Sequence, residues 1–344
     1  MFRTILSLKK YNLRGGLRMK KIPISIIIDD SAPIISVYHE HHEPKFTDDG
    51  RPLLPVYPNS FLDVFCGIVE KHGIKGKFSV VPMPGNKGDI LSGIEGHSEE
   101  ELNEWLGTVK KRIVPNFTIG PEMLTHHKAV DIETGAALEM NEEQWAAQTD
   151  RTQITPYIAK ALTLLNKAGF DAFGVTSPWT FGRAVEDEYT ASVSKAVYDV
   201  TGKKKAWFFL RSLRDVPNAK PWIELEEEGR CLVSIPATTR DVMWDSIHTA
   251  DCSDEYIRSR ADLLITDEGK GGAIIRVLET GGYPILVTHW QSLISNGLGT
   301  GMKILDLVGE RIKRLISDRV EWKSFEQIMD IVVENKRDYP KPQF

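Results

Sequence analysis

The chain has 344 residues, with 43 lysines and arginines against 48 aspartates and glutamates, and 41% of its residues are hydrophobic. This composition supplies enough apolar residues for a folded core and excludes a chain that is disordered throughout. A net charge of −5 lacks the positive surface of a general nucleic-acid binder, and no segment approaches the ~18 apolar residues of a membrane span. We therefore expect neither nucleic acid nor a membrane as a partner.

The cysteines and the N-terminal segment bear on the cellular compartment. Cys66, Cys231 and Cys252 lie far apart and form no CxxC pair, which is typical of proteins in a reducing compartment. Residues 1–20 are basic but lack the apolar segment of ~7 residues that a signal peptide contains. We therefore expect a cytoplasmic protein with an N-terminal extension over residues 1–20 and one folded domain over residues 21–344.

Short apolar segments along the chain predict seven β-strands. The first covers residues 22–30, is rich in isoleucine and ends in two aspartates. The other six cover residues 76–81, 116–125, 172–176, 206–210, 231–235 and 284–289.

Amphipathic segments between these strands predict helices. Ser98 and Glu101 form a capping box, and Thr155-Pro156 begins another helix that ends at Gly169. The predicted helices cover residues 59–72, 98–112, 155–169, 186–200, 254–267, 273–280, 302–316 and 324–334.

This alternation of strands and helices is typical of parallel strands covered by helices. The sequence predicts an α/β fold, a distorted seven-stranded parallel (β/α) barrel in a single domain. An open, doubly wound sheet is the structural alternative.

The C-terminal ends of parallel strands carry the chemistry of such folds, and two predicted strands end in ionisable residues. Asp29 and Asp30 close the first strand, where one acid can act as a base and the other as a metal ligand. His289 closes the last strand, where it can be a general acid or a further ligand.

A second group of candidate ligands follows the third predicted strand. His126 and His127 lie there, and Asp131 follows four residues after His127. Imidazole and carboxylate groups bind zinc and similar ions, so we expect these residues at a metal site. The segment from Tyr38 to Pro44 contains three further histidines, His39, His41 and His42, but its interleaved acids favour a solvated polar loop.

Aromatic residues near the same strand ends are candidates for carbohydrate binding, because a flat ring can stack on a sugar. We assign substrate binding to Trp179, Trp244 and Trp290, and to Pro178 and Asp245, which lie beside two of them at the same strand ends.

These residues resemble the polysaccharide deacetylase superfamily, also called NodB-like or carbohydrate esterase family four, over roughly residues 22–333. The Asp-Asp pair at the end of that family's first strand is matched by Ile28-Asp29-Asp30, and its second strand resembles residues 76–81. Its late strand that ends in Leu-His resembles Val287-Thr288-His289. Its Arg-x-Pro motif is partly matched by residues 176–179, where the arginine is missing.

The resemblance implies a hydrolase that uses a divalent metal ion, zinc first and cobalt or nickel as alternatives, to remove acetyl groups from a carbohydrate. It implies Asp29 as the base, His289 as the general acid, and Asp30 with His126 as metal ligands. The family's metal motif is His-x-x-x-His, and here Asp131 or His127 takes the place of the second histidine.

Two other functions fit the same residues. The first is a carbohydrate-binding protein that kept the fold and lost the metal. The second is a glycoside hydrolase that pairs Asp29 or Asp30 with Asp241 or Asp245.

Overall fold

The computed structural model describes residues 21–342, so the expected extension over residues 1–20 lies outside the described residues. The strands are β1 (Ile22–Asp29), β2 (Gly76–Val80), β3 (Gly88–Asp89), β4 (Gly93–Ile94), β5 (Phe117–Pro121), β6 (Lys128–Val130), β7 (Ala137–Asn141), β8 (Gly174–Thr176), β9 (Lys205–Phe209), β10 (Trp222–Glu227), β11 (Arg230–Ser234), β12 (Ile285–His289) and β13 (Val320–Trp322).

Eleven α-helices are present between residues 21 and 342. They are α1 (Val37–His41), α2 (Ser60–His72), α3 (Glu99–Thr108), α4 (Glu142–Ala146), α5 (Arg151–Lys167), α6 (Glu186–Thr201), α7 (Asp254–Asp262), α8 (Ala273–Glu279), α9 (Trp290–Ile294), α10 (Thr300–Leu315) and α11 (Phe325–Glu334). None of the described helices has the length and apolar character that crossing a membrane requires.

The larger sheets contain all seven strands that the sequence predicts. The first sheet has the parallel order β12-β1-β2-β5, with β13 paired to the start of β1. In the second sheet β8, β9 and β11 are parallel and β10 runs antiparallel along β11. The expectation of parallel strands is therefore confirmed for this core.

The predicted closed barrel is not formed. A single bridge between Glu122 and Thr176 joins the two sheets on one side. On the other side Thr238, beyond the end of β11, bonds to the Ile285 amide and carbonyl of β12. Strand β8 has only three residues and forms no further backbone pairs with β5, and β11 ends before it can pair with β12. The strands of the two sheets therefore do not form one continuous hydrogen-bonded ring.

Strand β1 lies at the centre of the first sheet and is buried on both faces. Ile24, Ile26, Ile27 and Ile28 are each at most 1% exposed. Strands buried on both faces lack an alternating polar pattern, which explains why isoleucines occupy adjacent positions from Ile26 to Ile28. The strand therefore delivers its C-terminal acids into the interior of the protein.

Most helices follow the sequence prediction to within about two residues, and α3 gives way at Thr108 to a π-helix that continues to Ile113. Two helices differ more. Helix α5 begins at Arg151 because the Asp150 side chain caps it by accepting from the Thr152 amide, so Pro156 lies inside the helix rather than at its start. Helix α7 ends at Asp262, five residues before the predicted end.

We expect Gly174→Ala to destabilise the fold by about 1–3 kcal/mol, the usual cost of overpacking. A Cβ atom at Gly174 would lie 2.3 Å from the indole ring of the buried Trp207 and 2.4 Å from its carbonyl oxygen. The free energy of unfolding in urea measures this effect. Gly107→Ala in α3 is the matched control, because its Cβ meets open space and alanine favours a helix by about 0.5–1 kcal/mol. Equal urea midpoints for Gly174→Ala and the wild type would contradict the packing described here.

Candidate functional site

A cavity of about 310 Å³ lies where the C-terminal ends of the parallel strands meet, and we call it the central cavity. Its walls combine acids, histidines and aromatic rings from both sheets. The lining residues are Asp29, Asp30, His41, Glu122, His126, Ser177, Trp179, Phe209, Leu210, Ser212, Arg214, Arg240, Asp241, Trp244, Val287 and His289.

The two acids that end β1 reach this cavity together because the backbone turns at Asp30. Neighbouring strand residues normally point to opposite faces. Asp30 has a φ of 60°, in the left-handed region, which redirects its carboxylate. Its backbone amide donates to Glu122 Oε2 at 2.6 Å, a bond that holds this conformation. Such a conformation costs about 1–3 kcal/mol in a residue with a side chain and is often retained at functional sites.

Asp30, Glu122 and His126 form a compact group of buried ligand atoms that lie within 4.8 Å of one another. His126 Nε2 lies 2.8 Å from Asp30 Oδ1 and 3.6 Å from Glu122 Oε1. Two carboxylates and one imidazole are a donor set that suits zinc and similar divalent ions. This group can therefore hold a metal, with Asp30 and His126 as the sequence predicts.

Glu122 was not among the residues expected from the sequence. It lies four residues before His126, the spacing of the His-x-x-x-His motif with a carboxylate in the first position. The expected second ligands, His127 and Asp131, both follow His126. A search of the four residues before it, with glutamate admitted as a ligand, would have found Glu122.

The charges in this group stabilise one another. Burial opposes ionisation of Asp30, but His126 and His289 hold the pKa of Asp30 well below its usual range. Burial likewise opposes a charge on His126, yet Asp30 and Glu122 raise the pKa of His126 well above its usual value. Burial and the neighbouring Asp29 and Asp30 raise the pKa of Glu122 to about 7. Without a metal, a protonated imidazole therefore supplies the positive charge between the carboxylates.

The loop that carries His126 is held in place by a second buried carboxylate. Glu142, at the start of α4, accepts the backbone amides of Leu124 and Thr125 at 2.9 Å and of His126 at 2.8 Å. It also accepts the Tyr157 hydroxyl at 2.7 Å. These bonds fix the backbone of His126, which has a φ of 50°. Glu142 therefore orients the imidazole without lining the cavity.

Asp29 has a buried cationic partner on the neighbouring strand. Lys77, fully buried on β2, bonds through Nζ to Asp29 Oδ1 and at 2.7 Å to the Ser79 hydroxyl. Among residues 21–342, no hydrogen bond in the structure uses Asp29 Oδ2. One carboxylate oxygen is thus anchored while the other is available to accept a proton.

His289 is oriented by Asp241, which lies after β11. Its Nδ1 is 2.8 Å from Asp241 Oδ2, and that oxygen also accepts the Ser292 hydroxyl at 2.7 Å. Burial opposes the charge, but Asp30 and Asp241 raise the pKa of His289 to about 10. The imidazole is therefore cationic at neutral pH, and Nε2 is the nitrogen left to donate a proton.

Two aromatic residues expected at the site are found in its wall. Trp179, 38% exposed, packs with its ring centroid 4.6 Å from that of His126. The Trp244 ring meets His289 edge-on at 5.0 Å. Each tryptophan leaves indole surface at the cavity, where a sugar ring can stack.

His41 differs from the expectation of a solvated loop. It lies in α1, stacks on His126 with ring centroids 5.2 Å apart and lines the central cavity. Its Nε2 is buried and has no hydrogen-bond partner among the residues that the structure describes. Burial and the neighbouring His126 lower the pKa of His41 to about 3, so the imidazole is neutral at pH 7.

Two expected metal ligands lie outside the ligand group. His127 directs Nδ1 to the Asn86 side chain at 3.0 Å, because the backbone turn at His126 sends adjacent side chains in different directions. Asp131 is in an exposed turn, where it accepts the amides of Glu133 at 3.0 Å and Thr134 at 2.8 Å. Glu122 therefore replaces both of them as the third candidate ligand.

Three expected substrate-binding residues also lie away from the cavity wall. Trp290 follows His289 but packs against Phe65 and Phe78 in the hydrophobic core. Asp245 points outward and pairs with Arg260 at 2.7 Å. Pro178 is buried and does not line the cavity, although its neighbours on both sides do.

No protein-family model and no curated protein sequence matches the chain. Among solved structures, it is similar to a Mycobacterium smegmatis protein assigned as a polysaccharide deacetylase, with 12% identity, a TM-score of 0.48, and coverage of 83% of this chain and 82% of that one. It is also similar to a mutant of a CE4 family pseudoenzyme with restored enzymatic activity, with 12% identity, a TM-score of 0.39, and coverage of 90% and 68%. These values indicate no more than a distant relationship of fold.

We expect Lys77→Met to destabilise the protein by about 3–5 kcal/mol, because it leaves the Asp29 carboxylate buried without its cation. The double variant Lys77→Met with Asp29→Asn removes the uncompensated charge and should recover most of that loss. Urea unfolding measures both, with the exposed Lys111→Met as a control expected within about 0.5 kcal/mol of the wild type. A Lys77→Met protein as stable as this control would show that the buried pair is not formed.

Proposed function

We propose that this protein is a metal-dependent hydrolase that removes acyl groups from a carbohydrate. The observation that carries the proposal is the convergence of a ligand group, a carboxylate base and a cationic histidine on one buried cavity. Asp30, Glu122 and His126 would hold the divalent ion. Bound there, the ion would supply a Lewis acid for an acyl carbonyl and for water.

Two of the chain's own residues can move the protons that hydrolysis requires. Asp29 is anchored to Lys77 through one oxygen, so the other can accept a proton from the attacking water. Asp241 raises the pKa of His289 through a hydrogen bond to Nδ1, so the ring can carry a proton on Nε2 and give it to the leaving amine or hydroxyl. Asp241 keeps the ring in the orientation and tautomer that this transfer needs.

The glycoside hydrolase alternative finds less support in this geometry. It needs a second carboxylate free to act on the substrate. Asp241 is occupied by His289 and Ser292, and Asp245 points away to Arg260.

Release of acetate from N-acetylated and O-acetylated oligosaccharides tests the proposed function. We expect activity with added zinc, cobalt or nickel, little after chelation, and a loss of about 10²–10⁴-fold in Asp29→Asn, the usual contribution of a general base. Asp131→Asn is the matched control and should keep the wild-type rate, since Asp131 lies in an exposed turn. Urea unfolding checks that Asp29→Asn is folded.

Two results would contradict the proposal. A folded Asp29→Asn variant that hydrolyses the substrate at the wild-type rate would show that Asp29 is not the general base. Saturable oligosaccharide binding without acetate release, whichever metal is added, would favour a carbohydrate-binding protein instead.

A further inference from the structure

The central cavity lies beside a larger cavity, which we call the basic cavity. The basic cavity has a volume of about 800 Å³, and Arg214 and Arg240 line both spaces. Because the two share these side chains as walls, a molecule longer than one sugar unit can extend from the central cavity past the arginines. The basic cavity is therefore the natural place for a neighbouring unit of the same substrate.

The basic cavity has an excess of positive charge. Lys270 and Arg276 add to the two shared arginines, and the Arg276 guanidinium donates to the backbone carbonyl of Arg214 at 3.1 Å. Arg240 is exposed and, within residues 21–342, the structure gives the side chains of Arg240 and Lys270 no hydrogen bond or ion pair.

The acids in this cavity do not cancel that charge. Asp262 is occupied by Arg311, which lies outside the cavity, at 2.7 Å. Asp215 lies 3.5 Å from Arg214, and both side chains are more than half exposed, so water screens the pair. Glu279 is the remaining acid in the lining. Arginine side chains left available in this way are suited to carboxylate and phosphate groups, which they can bind through two parallel hydrogen bonds.

The other flank of the central cavity has the opposite charge. A cavity of about 470 Å³, which shares His41 and Trp179 with the central one, contains four glutamates and one lysine. The glutamates are Glu40, Glu43, Glu139 and Glu143. An anionic unit is therefore favoured on the arginine side and disfavoured on this side.

We propose that the substrate is an acidic saccharide, whose anionic group lies in the basic cavity while the reacting unit occupies the central cavity. The proposal rests on the proposed function for the position of the reacting unit, but its charge preference concerns binding alone. Arg240, at the boundary of both cavities, is the specificity-determining residue. The opposite charges of the two flanks also give the bound chain one direction.

Binding of three disaccharides without any acyl group tests the proposal by calorimetry. The probes are cellobiose, its uronic acid form and cellobiose 6-phosphate. At low salt we expect at least one of the two anionic probes to bind about tenfold more tightly than cellobiose, the effect of one charge-assisted contact. The stronger of the two identifies a carboxylate or a phosphate as the preferred group.

Arg240→Gln should reduce the ratio of the affinity for the anionic probe to the affinity for cellobiose at least fivefold. The control is Arg337→Gln, which replaces an exposed arginine outside these cavities. It should change neither the affinity for the anionic probe nor the affinity for cellobiose. Equal affinities for neutral and anionic probes, no binding of any probe, or an unchanged preference in Arg240→Gln would each overturn the proposal. The probes carry no acyl group, so the measured charge preference does not depend on whether the protein hydrolyses acetylated sugars.

Discussion

The structure depends on the balance of charge inside the central cavity. Ionised carboxylates are costly to bury unless a cation and hydrogen bonds compensate them. Here each of three acids has a cationic partner contributed by a different segment of the chain. The pairs are Asp29 with Lys77, Asp30 with His126, and Asp241 with His289. The parallel strands serve to bring these segments to one edge, so the fold and the charge balance depend on each other.

Several residues of the site have a strained backbone, and hydrogen bonds to buried carboxylates hold two of them in that conformation. Asp30, His126 and Trp179 all have φ values between 48° and 60°, where residues with side chains are seldom found. Two carboxylates hold the first two in place, since Glu122 accepts the Asp30 amide and Glu142 accepts the His126 amide. Glu122 thus has two roles, as a candidate ligand and as a support for the turn at Asp30. A site held in this way is positioned before any ligand arrives.

Much of the core could be predicted from the sequence because its signals are local. Apolar segments rich in β-branched residues indicate buried strands. Because the C-terminal ends of parallel strands share one edge of the sheet, Asp29, Asp30, His126 and His289 could be predicted to lie close together. Trp290 and His127 show where that reasoning ends. Each is adjacent to a site residue, but ordinary strand alternation sends Trp290 into the core and the left-handed turn at His126 sends His127 toward Asn86. Such turns, like the open hydrogen bonding between the two sheets, depend on tertiary contacts that periodicity does not record.

The proposed chemistry requires that Asp30, Glu122 and His126 hold one divalent ion. Calorimetric titration of chelator-treated protein with zinc measures this directly, with Glu122→Gln as the test and the exposed Glu139→Gln as the control. We expect one zinc ion per chain, bound at least about 10-fold more weakly by Glu122→Gln and equally well by Glu139→Gln. The absence of saturable binding, or equal affinity in the wild type and Glu122→Gln, would contradict this expectation.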